Sequence, residues 1–122
     1  MQIVLAKNKI YWTEHAREKM RYYGLSENRV LRILRHPKRV EEGIAENTTA
    51  AMQRAGSVKH PNEIWMMYQG KSQIPNSKSK NKEKQIVIIS AWKYPGITKP
   101  GAEIPMPEEV RNELRIMNNE DR

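Results

Sequence analysis

The sequence predicts an α+β fold in which two N-terminal helices pack on a small antiparallel sheet of about four to five strands, with a further helix at the C-terminus. Three observations carry this expectation. "TEHAREKMRYYGLSENRVLRILRHP" holds two helix starts and two helix stops in close succession. "EIWMMYQ" and "QIVIISAW" are apolar on both faces over strand-length segments. "PEEVRNELRIM" repeats apolar residues at helical spacing behind a proline.

The elements follow in order. "IVLAK" (3–7) reads as a first strand that turns at Asn8-Lys9 into Ile10 to Trp12. Thr13 reads as an N-cap. Glu14 then suits the positive end of a helix, Ala16, Met20 and Tyr23 recur at helical spacing, and Gly24 stops it. Ser26 caps a second helix with the stripe Val30, Ile33 and Leu34, which Pro37 ends near Arg35. "KRVEEGIAENTTAAMQRAG" reads as an irregular β-hairpin turning at "ENTT". "EIWMMYQ" (63–69) and "QIVIISAW" (85–92) are the central strands, joined across a lysine-rich, solvated loop at 70–84. A terminal helix over about 107–118 opens at Pro107 and carries Val110, Leu114 and Met117 on one side, a stripe able to cover the sheet or grip a partner. No internal repeat is present, so residues 1–122 read as one domain.

Composition narrows the class of function. The chain has 22 Lys and Arg against 14 Asp and Glu, a net charge of +8, which favours a polyanionic partner such as nucleic acid, an acidic protein or a membrane surface. With no cysteine, disulfides, thiolate metal sites and cysteine nucleophiles are excluded. His15, His36 and His60 have no carboxylate at metal-ligand spacing, and the glycines form no phosphate-cradling motif, so neither a metal nor a nucleotide cofactor is expected. No apolar run is long enough to span a membrane, and a cytoplasmic protein is the expectation.

His15 stands out. It lies near the start of the first helix, where unpaired amides disfavour the imidazolium, so a neutral ring there can accept a proton. Arg17, Lys19 and Arg21 follow within two turns and suit a phosphate diester; together they have the components for RNA cleavage through the 2′-hydroxyl. Lys93 and Tyr94, at the end of the last strand, offer a phosphate ligand and a proton donor or stacking ring. Trp92 offers a stacking face but reads better as core. Arg54 and Tyr68, on the presumed inner strands, face the same surface if the register allows. The opposing reading makes His15 a packing residue among ordinary surface charges.

"YWTEHAREKMRYYGLSENRVLRILRHPKRV" resembles the opening of the small bacterial and archaeal domains called DUF4258. His15, Ala16, Met20, Gly24, Leu25, Ser26, Val30 and Pro37 match that pattern, while Lys19 and Tyr23 stand where arginines are expected. The likeness covers about the first 40 residues well and the later strands by order and apolar character. The DUF4258 family is in turn similar to the RelE/ParE toxin superfamily, BrnT-type toxins included. The resemblance implies a RelE-like fold and a metal-independent endoribonuclease of a toxin–antitoxin pair, acting with or without the ribosome and covered by an acidic antitoxin. In that reading His15 is the general base or an orienting group, Arg54 and Lys93 bind phosphate, and Tyr68 or Tyr94 donates a proton or stacks. Two alternatives stand beside it: a non-catalytic nucleic-acid-binding module using Arg17, Lys19, Arg21 and Tyr68, and a protein-interaction domain docking through its last helix.

Overall fold

Thr13 sets the course of the N-terminal segment. Its side chain accepts from the Ala16 amide at 3.0 Å, capping a helix, while its own amide and hydroxyl donate to the carbonyls of Ile88 and Ile89 at 3.1 and 2.9 Å. A helix start is thereby pinned to a strand 75 residues further on. The structure, a computed structural model, describes residues 9–72 and 84–120, without the side chains of 71, 72, 84 and 117–120.

Within that range the order is β1 (Lys9–Trp12), α1 (Glu14–Tyr23), α2 (Glu27–Arg35), β2 (Arg39–Glu42), β3 (Thr49–Gly56), β4 (Pro61–Ser72), β5 (Lys84–Pro95) and α3 (Glu108–Glu120). The strands form a sheet in the order β1-β5-β4-β3-β2. β2, β3, β4 and β5 run antiparallel to their neighbours, but β1 lies parallel to β5, Lys9 opposite Gln85 and Trp12 opposite Ile88. The sheet is therefore mixed rather than wholly antiparallel. β1 runs straight into the Thr13 cap and α1 with no hairpin to pair it locally, so its neighbour comes from far along the chain and it takes the free edge of β5. Lys9 is a paired strand residue, not part of a turn. The strand expected at 3–7 lies outside the described residues.

The helix signals act as expected. Gly24 ends α1 with φ 69°, a left-handed conformation that favours glycine, and its amide donates to the carbonyl of Arg21. Ser26 caps α2 through the Arg29 amide at 3.1 Å, and α2 stops at Arg35, two residues before Pro37. α3 begins one residue later than expected, with the Pro107 carbonyl accepting from Arg111. The hairpin expected after Pro37 is present as β2 and β3. Gly70 to Ser72 pair with Lys84 to Ile86 and so extend β4 and β5 into the expected loop; residues 73–83 lie outside the described residues.

The sheet carries a core on each face. On one, α1 and α2 bring Ala16, Met20, Val30 and Ile33 onto Ile64, Met66, Ile86 and Ile88. On the other, the segment leading into α3 and α3 itself bring Ile104, Met106, Val110 and Leu114 onto Met52, Trp65, Met67 and Trp92. Trp65 and Trp92 pair across β4 and β5 with rings 4° from parallel and centroids 6.2 Å apart, and the Trp92 indole N–H donates to the Pro105 carbonyl. Val110 and Leu114 are thus occupied in covering the sheet. A bulge between Met67 and Tyr68 skips Ile89, which turns Ser90 and Trp92 toward the α3 face and Ala91 and Lys93 toward the α1–α2 face.

Candidate functional site

Because β1 ends at Trp12, the second half of β5 has β4 on one side and no strand on the other, and α1 packs there, between the two cores. Ala16 and Met20 face the first core; His15, Lys19 and Tyr23, spaced four apart, form a second stripe turned toward α3. Glu109 and Glu113, also four apart, answer it from α3. His15 and Lys19 are each only 8% exposed.

The imidazole is held from both sides. His15 Nε2 lies 2.8 Å from the Ser90 hydroxyl, and Nδ1 lies 3.6 Å from Glu113 Oε1. The nearby carboxylate favours the tautomer with its proton on Nδ1, which leaves Nε2 to accept from Ser90. Burial pushes the His15 pKa below the usual histidine value, against the opposing pull of Glu113, so the ring is neutral at pH 7. Lys19 Nζ lies 2.7 Å from the same Glu113 Oε1, and this contact raises the lysine pKa. Glu113 Oε1 is enclosed and meets Lys19 as an ion pair without hydrogen-bond alignment. Carboxylate, imidazole and hydroxyl follow one another as in a hydrolytic relay, yet Ser90 is fully buried, which withholds its hydroxyl from any substrate.

The other residues singled out from sequence are divided between the two faces of the sheet, with Tyr94 on the same face of β5 as Ser90. Lys93 and Tyr94 are consecutive on β5 and leave on opposite faces: Lys93 opposite Ile64, Tyr94 opposite Glu63 and packed against the α3 core. Arg54, exposed, sits opposite Glu63 on β3, and Tyr68 packs half-buried against the α1–α2 core. Arg17 and Arg21 are exposed on α1, Arg17 paired with Glu27 at 3.0 Å, while Lys19 points the other way. Strand alternation, which hydropathy alone left open in segments apolar on both faces, divides the set.

Two further groups had no part in the sequence reading. The first is a buried polar knot on the α3 face. Glu63, fully buried, accepts from the Trp65 indole and from the amide and hydroxyl of Thr98; Arg39, 7% exposed, donates to Glu41, Thr98 and the Ala102 carbonyl and lies over the Trp65 ring. Gly101 donates its amide to Glu41, and this bond, followed by Arg39, holds the Glu41 carboxyl below the usual range. The second is an arginine row on α2. Arg29, Arg32 and Arg35 recur every third residue, with Lys38 just beyond. Arg29 meets Gln53 rather than a carboxylate, and burial followed by the charge of Arg32 lowers its pKa. Arg32 and Arg35 are exposed, and among the described residues no carboxylate pairs with either. The three-residue repeat was visible in the sequence; that no described carboxylate pairs with Arg32 or Arg35 needed the fold.

Among the described residues no helix is long and apolar enough to cross a membrane, and no group of three or more His, Asp or Glu side chains converges as a metal site. No family model, curated protein or solved structure matches the chain.

Proposed function

We propose that the chain is a toxin-like basic protein that binds RNA through the outer face of its two N-terminal helices. One observation carries this reading: the row Arg29, Arg32 and Arg35 on α2, for which no carboxylate partner stands among the described residues, prolonged by Lys38 in a chain of net charge +8. A helix surface without acidic partners raises the local concentration of polyanions and gives up counterions on binding, whereas a surface kept basic for solubility alone intersperses both signs. Guanidinium forks suit phosphate oxygens and stack on unpaired bases, which favours single-stranded RNA. An acidic antitoxin covering the same face, and a ribosome as the setting, belong to this proposal through the DUF4258 and RelE-like resemblance of the first 40 residues.

Metal-independent endoribonuclease activity is the second reading, favoured by one feature: His15 is neutral and has an ammonium beside it in Lys19. Lys93, which leaves β5 on the face opposite Ser90, would then act elsewhere than at His15. The test is titration of a labelled single-stranded RNA with the wild type and with Arg32→Glu/Arg35→Glu over a range of salt, with cut ends mapped for the wild type and His15→Ala, with and without ribosomes. RNA binding is expected in the wild type and a loss of at least tenfold on charge reversal. Equal affinity in both proteins would overturn the reading. Cleavage lost in His15→Ala would bring the nuclease reading forward.

A further inference from the structure

We infer that Lys19 and His15 form a phosphate-binding site that the Glu113 carboxylate occupies in the free protein. The inference deepens the RNA-binding reading, on which it rests for the source of the phosphate. Lysine ordinarily keeps its ammonium in water while its stem lies on apolar surface. Lys19 instead is 8% exposed and folds its ammonium inward to a single carboxylate oxygen at 2.7 Å. That oxygen also lies 3.6 Å from His15 Nδ1, so one anionic atom is shared by two nitrogen donors on adjacent turns of α1. A phosphate oxygen has the same charge and accepting character as the carboxylate oxygen there, and a phosphate offers further oxygens to the remaining ammonium hydrogens.

Entry requires a rotation, not an unfolding. The Glu113 side chain is 42% exposed, while Val110 and Leu114 on either side of it are buried and hold α3 to the sheet. Glu113 can swing into water as a ligand takes its place, with α3 still docked. While it stays, lysine and carboxylate cancel. Once it leaves, the Lys19 ammonium keeps only the Tyr22 ring and the charge of Glu109 near it, and draws in another anion. Glu113 thus sets a threshold: a ligand must outcompete a tethered carboxylate before it reaches His15.

The experiment compares the wild type, Glu113→Gln, Glu108→Gln and Lys19→Met/Glu113→Gln. Glu108→Gln makes the same charge change on the same helix at an exposed site. Each protein is titrated with labelled single-stranded RNA and, separately, with inorganic phosphate while the His15 imidazole resonances are followed. Glu113→Gln is expected to bind RNA about tenfold tighter than the wild type, within the usual range of intramolecular coupling, with Glu108→Gln close to the wild type and the gain lost in the double variant. Phosphate is expected to move the His15 resonances in Glu113→Gln at concentrations that leave the wild type unmoved. Equal gains in Glu113→Gln and Glu108→Gln, or a gain that survives loss of Lys19, would overturn the site. If no variant binds RNA but phosphate still moves His15 in Glu113→Gln, the site stands with free phosphate as its ligand and the RNA reading falls. If RNA binds and neither readout responds to Glu113, the RNA reading stands and the site falls.

Discussion

The His15 ring and the Ser90 hydroxyl, 75 residues apart in sequence, lie 2.8 Å apart in the interior, where α1 meets the bulged half of β5. Removing the hydroxyl strands a buried ring nitrogen, which costs about 1–3 kcal/mol. Ser90→Ala should therefore lower the melting temperature by roughly 4–12 °C, at about 4 °C per kcal/mol for a chain of this size. In a cycle with His15→Leu, the double variant should lose less than the two single losses added together, because it leaves no unpaired partner. Simple addition would show that the contact contributes nothing beyond packing.

The same ring makes stability depend on pH. Burial holds the folded-state pKa of His15 below the ordinary 6.5. Above that value both folded and unfolded rings are neutral. As pH falls through it, the unfolded chain takes a proton that the folded protein refuses, and stability declines until the folded ring titrates as well. Denaturant unfolding across pH 5 to 8 should show this decline in the wild type, and His15→Asn should flatten it. An unchanged slope in the variant would assign the decline to other groups.

Glu63 is a fully buried acid. Replacing it with leucine leaves the Trp65 indole and the Thr98 amide and hydroxyl without their acceptor, and takes from the Arg39 network the carboxylate with which it shares Thr98. Breaking such a network costs about 3–5 kcal/mol. Glu63→Leu should cost at least that much by urea denaturation, whereas Glu63→Gln, which keeps one acceptor, should lose less. Equal losses would mean that shape rather than hydrogen bonding matters there.

These groups show where sequence was legible. Thr13, Gly24, Ser26 and Pro37 act locally, through their own backbone and hydroxyl chemistry, and each stands at the helix boundary it signals. The paired strands β4 and β5 were equally plain in their apolar runs. The parallel seat of β1 was not, because it depends on a strand more than 70 residues away. Nor were the sides taken by Lys93 and Tyr94, since one bulged residue reverses every later side chain on β5. Arg39 is buried and Val40 half-exposed at 53%, the reverse of their hydropathy, because the Arg39 guanidinium finds Thr98, Glu41 and an aromatic face. Glu113 could be suspected only from the four-residue spacing it shares with Glu109.

Gly24 offers a purely local test. Its φ of 69° costs an L side chain roughly 1–2 kcal/mol, while nothing lies within 4 Å of where a Cβ would stand. Gly24→Ala should be destabilising by about 1 kcal/mol, and Gly24→Asn by less, because asparagine tolerates this conformation. A neutral Gly24→Ala would mean that the α1–α2 turn relaxes to another conformation.

For the arginine row, the salt dependence of RNA binding gives the sharper readout. Each phosphate contact to a single strand contributes about 0.7 to the slope of log affinity against log salt. Arg32→Ala/Arg35→Ala should reduce the steepness by about 1.4 if both residues touch phosphate. An unchanged slope with weaker affinity would place their contribution in stacking instead.

The parallel seat of β1 also has a consequence in time. A chain made from its N-terminus exposes Lys9–Trp12 and the α1 stripe first, yet both find their neighbours only when β5 and α3 have been synthesised. Closing so long a loop delays the final step of folding relative to the β2–β3–β4 meander. Until then Lys19 lacks the Glu113 carboxylate that neutralises it in the finished fold.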